Sequence, residues 1–177
     1  MTLSTHAIAV GTFVPMLTSL SEWLDKGAEH ARSRGLDPET LGAAQLAPDM
    51  FTLAMQVMLA CHHARDGTAR LTGRPPPAFG DADPTLGAMK ARIADTIADL
   101  QAIPAADFDG AEDRPISMDL TDALVFQADG LALLRDWSIP HFYFHAVTAY
   151  DILRHEGVGL GKRDYLSQVN RHVRPKA

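Results

Sequence analysis

Residues 139–156 read IPHFYFHAVTAYDILRHE, an aromatic-rich run that contains His141 and His145. If this run is a helix, the two histidines lie one turn apart on the same face, because residues i and i+4 are neighbours on a helix surface. Two imidazoles at this spacing suit a divalent metal that takes two ligands from one rigid element. The stretch therefore predicts a helix with a candidate metal site, and it names no reaction.

The length and composition indicate one globular domain over residues 1–177. Hydrophobic residues make up 46% of the 177 residues, and a domain of this size buries about 70% of the surface that its unfolded chain exposes. The formal net charge is −6, from 16 basic and 22 acidic side chains. Because no basic stripe offsets this charge, we expect no nucleic acid partner.

The single cysteine, Cys61, excludes an internal disulfide and a cysteine cage for zinc. We expect it to be a small buried side chain of a cytoplasmic protein. Residues 1–24 are apolar but lack a leading basic cluster and a small-residue cleavage site, so they predict a helix of the mature fold. No run reaches the roughly 18 uninterrupted apolar residues of a membrane span, so we expect no membrane partner.

Apolar residues recur at steps of three and four along four long stretches, which predicts four amphipathic helices. The predicted helices cover residues 2–34, 50–71, 83–103 and about 139–156. Pro15 lies inside the first helix and predicts a kink or a short break near residues 11–15. Gly35 is predicted to cap the end of this helix, and Asp49 is predicted to cap the start of the second.

Residues 114–130 differ from the helices because apolar and polar residues alternate there, which predicts a short β-hairpin that turns at Thr121-Asp122. Residues 159–177 carry five basic side chains and form either a docking arm or a free terminus. Together the elements predict an all-α four-helix bundle with a small β-hairpin before the fourth helix. Bundles of this kind hold metals and ligands between facing helices.

The second helix carries adjacent histidines, His62 and His63, which must point in different directions. At 100° per residue, an apolar arc contains Ala54, Val57, Met58, Cys61, Ala64 and Thr68, and a polar arc contains Thr52, Gln56, His63, Asp66 and Arg70. His62 lies at the edge of the apolar arc. We therefore expect His62, and not His63, to face the interior of the bundle.

Several phrases of the sequence resemble one protein superfamily along nearly the whole chain. They are LAPDMF from residue 46, ARLTG from 69, GAEDR from 110, FYFHAVTAYDILRHEGV from 142 and LGKRDYL from 160. The order of elements and these phrases resemble the DinB/YfiT-like superfamily, and more closely a bacterial domain-of-unknown-function family within it. The resemblance implies a metal site with one histidine from the second helix and an HxxxH pair from the fourth.

Carried over by position, the resemblance implies that His62 (or His63), His141 and His145 bind one divalent metal ion, either nickel, zinc, iron or manganese. The closer family commonly has asparagine at the position of His141, so this chain carries more of the triad than that family usually does. Characterised relatives imply thiol transfer or metal-assisted hydrolysis. We expect a homodimer whose pocket also includes His63, Thr148, Tyr150 and Asp151. The alternative is a metal-free dimeric bundle that binds a small apolar ligand or a protein partner.

Overall fold

The computed structural model describes residues 4–174, so Thr2 of the predicted first helix and Lys176 of the predicted arm lie outside the described residues. Four long helices contain 29, 19, 16 and 17 residues, and an antiparallel hairpin of two strands precedes the last of them. The helices are α1 (Thr5–Ser33), α2 (Leu53–Leu71), α3 (Leu86–Gln101) and α4 (Ile139–His155), and the strands are β1 (Pro115–Thr121) and β2 (Leu124–Asp129). The chain is thus mostly helical, as predicted.

The described chain has more helical elements than the four that the sequence predicted. Short 3-10 or α-helical turns lie between the long helices or after the last of them, and a π-helical segment, Leu133–Ser138, leads directly into α4. The short turns are Pro38–Ala43, Ala105–Phe108, Gly130–Ala132, Lys162–Tyr165 and Ser167–His172. Segments of three to six residues carry no amphipathic period that a sequence pattern could reveal.

A kink or a short break was predicted near residues 11–15, and the break is wrong because helix α1 is continuous through Pro15. Proline removes the hydrogen bond to the carbonyl group four residues earlier, which belongs to Gly11. Gly11 is exposed, so water can satisfy that carbonyl group. The predicted cap at Gly35 is confirmed: its φ is +71°, its N–H donates to Arg32, and the N–H of Leu36 donates to Ala31.

Helix α1 is also long and apolar enough to cross a membrane by length and composition. One face of it, however, is fully buried against the other helices, including Phe13, Leu17 and Trp23 at 0% exposure. The rings of Phe13 and Phe142 pack with their centroids 4.8 Å apart and so join α1 to α4. We therefore assign α1 to the protein core.

Helix α2 begins at Leu53, three residues later than predicted, because Thr52 and not Asp49 is the cap. The Thr52 side chain accepts a hydrogen bond from the N–H of Met55. Helix α2 packs against α1, α3 and α4, and 14 of its 19 residues are buried. Buried residues therefore lie on its polar arc as well as on its apolar arc, including Gln56 and Asp66.

The predicted β-hairpin is confirmed, with β1 and β2 paired from Pro115↔Asp129 to Thr121↔Leu124. Its turn is at Asp122-Ala123, one residue later than predicted. The hairpin lies beside the start of α4, and the ring of Phe126 packs against Trp137 with centroids 5.3 Å apart. Its connection to the π-helical segment passes close to the rest of the chain at Gly130, where a Cβ atom would lie 1.9 Å from the carbonyl oxygen of Ala111. Only glycine fits at this crossing.

The described part of the basic arm folds back onto α1. The indole N–H of Trp23 donates to the carbonyl oxygen of Asp164 at 3.1 Å, and Lys26 pairs with the Asp164 carboxylate at 2.5 Å. The hydroxyl groups of Ser19 and Ser167 lie 2.7 Å apart. The arm is therefore a docked part of the fold as far as the structure describes it.

Candidate functional site

The two histidines of α4 each hold the same ring nitrogen against a hydrogen-bond acceptor. His141 Nδ1 lies 2.8 Å from the backbone carbonyl oxygen of Trp137, and His145 Nδ1 lies 2.8 Å from Oε1 of Gln56. A carbonyl oxygen can only accept, so each Nδ1 carries its proton and donates. In the neutral imidazole the lone pair then lies on Nε2, which leaves Nε2 of both rings free to act as a ligand.

Gln56 is orientated by a second hydrogen bond. Its Nε2 donates to the carbonyl oxygen of Phe51 at 3.3 Å, so its Oε1 must be the atom that faces His145. Gln56 is 1% exposed and His145 is 7% exposed. A buried hydrogen bond between neutral groups is costly to break, and this one fixes both the ring orientation and the tautomer of His145.

His63 supplies the third ring of the cluster. Its centroid lies 4.8 Å from that of His141 and 5.4 Å from that of His145, with the His63 and His145 planes only 5° apart. His62 instead packs edge-on against Phe79 at 4.9 Å. The prediction that His62 faces inward is therefore wrong, and His63 takes the place assigned to it.

His63, and not His62, faces the other histidines because of the way α2 packs in the bundle. The helical wheel treated the polar arc of α2 as the solvent side, but this helix is enclosed by neighbours and its polar arc faces α4. Gln56 and His63 are seven residues apart, which is two helical turns, so both project from the same face. Gln56 reaches His145 and His63 reaches both histidines of α4 from that face.

Burial keeps two of these rings neutral. The pKa of His63 is lowered to about 3 by desolvation, with the neighbouring His141, His145 and His62 adding to the effect. The pKa of His145 is lowered to about 4, mainly by desolvation and also by His141. Both imidazoles are therefore neutral near pH 7, which is the form that binds metal.

The cluster has the donor chemistry of a metal site, although its rings do not converge on one point. Three imidazoles, two of them with Nδ1 held by an acceptor, match the outer hydrogen bonding of histidine ligands. Within residues 4–174, however, no group of three or more His, Cys, Asp or Glu side chains is arranged to hold a metal ion. The rings of His63 and His145 are stacked in parallel planes, with their centroids 5.4 Å apart, so ligation of one ion by all three rings requires the side chains to move.

Two openings give access to the cluster from different sides. The first has a volume of about 370 Å³ and is lined by Pro140, His141, Phe144 and His145. The wall of this opening is largely apolar. It includes the ring of Phe144, which is 63% exposed. The second has a volume of about 350 Å³ and lies between α2 and the hairpin. Its lining comprises His62, His63, Asp66, Arg70, Met118, Asp119, Leu120 and Trp137.

The remaining pocket residues that the sequence predicted lie elsewhere. The hydroxyl group of Thr148 is turned back to the carbonyl oxygen of Phe144 in its own helix, at 2.6 Å. Tyr150 packs on Trp23 and Tyr165, because a step of five residues from His145 rotates the side chain about 140° away. Asp151 is exposed to solvent. None of these three lines either opening to the cluster.

Sequence reasoning missed Gln56 and Trp137 as parts of the site. Gln56 carried a signal, since a polar residue two turns before His63 on a mostly apolar helix marks the same face. Trp137 contributes a backbone carbonyl and a ring 4.2 Å from the His141 ring. Its carbonyl role carries no side-chain signature, so only the structure could reveal it.

Comparison with known proteins places the chain in a family. Residues 5–166 match the model of a domain of unknown function, DUF1993. A crystal structure of a DinB family member protein from Shewanella denitrificans superposes with a TM-score of 0.85 and 35% sequence identity, covering 97% of this chain and 94% of that one. A search of curated proteins gives no match. This chain belongs to the DUF1993 family and is a DinB-like protein.

Proposed function

We propose that this DinB-like protein binds one divalent transition metal ion, nickel, zinc, iron or manganese, through His63, His141 and His145. The observation that carries the proposal is the pair of hydrogen bonds that hold Nδ1 of both α4 histidines. These bonds leave two Nε2 lone pairs beside a third neutral imidazole.

We further propose that the protein is an enzyme of the thiol-transferase or hydrolase type. A bound metal ion supplies Lewis acidity and lowers the pKa of a coordinated water or thiol. Gln56 and the Trp137 carbonyl group orientate the two α4 rings, while Pro140 and Phe144 line an apolar wall beside the cluster. We place the enzyme in the cytoplasm as a homodimer; sedimentation velocity tests the second point directly.

The metal content of three alanine variants tests the site. Protein purified without a histidine tag and without chelator is analysed by inductively coupled plasma mass spectrometry. We expect about one equivalent in the parent protein and a loss in His63→Ala and His145→Ala. His62→Ala is the matched control, since it removes the neighbouring imidazole of the same helix that packs on Phe79 instead.

Two results contradict this proposal. Metal retained in full by His63→Ala and His145→Ala would exclude the cluster as the binding site. No metal in the parent protein, even after incubation with zinc, nickel and manganese, would exclude a metalloenzyme. With metal bound, a screen of thiols against electrophiles and of simple esters separates transfer from hydrolysis.

The second candidate function is a metal-free dimeric bundle that binds a small apolar ligand. It is favoured by the opening of about 370 Å³ beside Phe144, whose ring is 63% exposed. An exposed aromatic ring at the mouth of a cavity is a feature of ligand and partner sites. Native mass spectrometry that shows a bound organic molecule and no metal would favour this function over the first.

A further inference from the structure

A third opening, next to the histidine site, is lined by three arginines. It lies between the C-terminal end of α2 and the start of β1, has a volume of about 420 Å³, and includes Arg70, Arg74, Arg114 and Ser117 in its lining. Such a concentration of guanidinium groups is unexpected in a chain of net charge −6. Arginine is the preferred side chain for planar recognition of carboxylate and phosphate.

The acidic groups around this opening do not fully balance the arginines. Arg74 pairs with Asp107 at 2.5 Å, and Nε of Arg70 donates to both carboxylate oxygens of Asp66 at 2.9 Å. Arg114 makes no ion pair with any residue that the structure describes. The opening therefore contains one positive charge more than these pairs neutralise.

Arg114 is nevertheless held in a defined place. Its Nε donates to the carbonyl oxygen of Leu71 at 3.0 Å, at the end of α2. Gly73, with φ of +67°, lies so close that a Cβ atom there would be 2.8 Å from Nη1 of Arg114. The glycine thus serves the turn after α2 and also leaves space for the guanidinium group. An orientated and half-buried guanidinium loses less entropy on binding an anion than a free surface side chain does.

Arg70 connects this opening to the histidine cluster. It lines both the arginine opening and the second opening, which contains His62 and His63. His63 and Arg70 are seven residues apart on one face of α2, a rise of about 10 Å. Asp119 lines the second opening and disfavours an anion there. An anionic group would therefore be confined to the arginine end, about two helical turns from His63.

We propose that Arg70 and Arg114 bind the carboxylate or phosphate group of a small molecule whose reactive part lies at the histidine cluster. The role as a substrate pocket rests on the function proposed above, whereas the binding of an anion does not. The substrate class is thus a small anionic molecule about 10 Å long between its charged group and its reactive end.

Anion binding is tested on metal-free, chelator-treated protein by NMR titration of the arginine Nε–H signals, at constant ionic strength set with chloride. The two probes are inorganic phosphate and succinate, which distinguish phosphate from carboxylate as the preferred group. We expect saturable shifts for Arg70 and Arg114, and binding at least about tenfold weaker in Arg114→Gln, from the loss of a charge-assisted hydrogen bond. Arg135→Gln is the matched control, since it removes the same charge from an exposed residue whose one ion pair within residues 4–174 is with the adjacent Asp136.

Equal affinity in Arg114→Gln and Arg135→Gln would overturn the proposal, as would the absence of shifts with both probes at millimolar concentrations. If Arg114→Gln fails to fold by circular dichroism, Arg70→Gln provides the same test. The metal analysis separates the two proposals. Phosphate binding without metal binding supports the anion site alone, and metal binding without anion shifts refutes only this inference.

Discussion

The hydrogen bond between Gln56 and His145 allows a quantitative test of the site, through the replacement of Gln56 by leucine. Leucine has a similar volume, so the change removes an acceptor without opening a large cavity. In the variant the Nδ1–H of His145 loses its partner in a position where the residue is only 7% exposed. The carbonyl oxygen of Phe51 also loses a donor, but this residue is exposed and water can replace the bond.

The expected cost follows from this difference between the two bonds. A buried donor left without an acceptor costs about 1–3 kcal/mol, and the added apolar burial of leucine offsets part of it. We therefore expect the free energy of unfolding to fall by about 1–2 kcal/mol. For a chain of this length each kcal/mol lowers Tm by about 2–4 °C, so Tm falls by about 2–8 °C. Because the His145 tautomer is no longer fixed, metal affinity should also fall about 10–100-fold.

Urea denaturation followed by circular dichroism at pH 7.5 measures the stability change. Gln101→Leu, at the exposed end of α3, is the control for a glutamine-to-leucine exchange without a buried partner. A Gln56→Leu protein as stable as this control would refute the reasoning, since it would mean that the hydrogen bond contributes nothing. Unchanged metal affinity in the variant would refute the orientating role separately.

Three further predictions concern acid, packing and thiol chemistry. Stability should fall by about 2–3 kcal/mol for each of His145 and His63 as pH drops from about 6.5 to about 4. The reason is that both residues bind more protons there in the unfolded chain than in the fold, where their pKa values are lowered to about 4 and about 3. Urea midpoints measured across this range, in the parent protein and in His145→Gln, should show the smaller slope in the variant. Gly130→Ala should destabilise by about 2–4 kcal/mol, because its Cβ would lie 1.9 Å from the carbonyl oxygen of Ala111, and a thermal melt that matches the parent would contradict this clash. The pKa of the Cys61 thiol is raised to about 11 by burial, so iodoacetamide should label Cys61 only when the protein unfolds. Rapid labelling of the native protein would contradict this prediction, because it would show that the thiol is accessible to solvent.

Local sequence patterns predicted the four long helices and the hairpin of this fold, but not the short helical turns or the π-helical segment between and after them. The period of apolar residues indicated the four long helices, and the alternation in residues 114–130 indicated the hairpin. Errors occurred at boundaries where two residues competed for one role. Asp49 and Thr52 are both good helix caps, but only Thr52 accepts a hydrogen bond from the first turn of α2. Pro15 predicted a kink or a short break, but α1 has no break there, because water can satisfy the carbonyl group of the exposed Gly11.

Part of the candidate site could be predicted from residue spacing, and part of it depended on how the helices pack. The spacing of His141 and His145 predicted two rings on one face, and both rings do contact His63. The choice between His62 and His63 was wrong, because a helical wheel assumes that the polar arc faces water. Since α2 is packed on several sides, its polar arc is the one that carries Gln56 and His63 to α4.

The sequence by itself determined the helices, the hairpin and the HxxxH pair, because each follows from the identity and spacing of residues near one another in the chain. The tertiary structure alone decided that His63 completes the cluster, that Gln56 holds His145, and that Arg70 connects it to an opening with Arg114. These relations join residues as far apart as positions 56 and 145. They depend on which face of each helix contacts its neighbour. All the buried contacts of the fold together decide that orientation, so no local stretch of sequence reveals it.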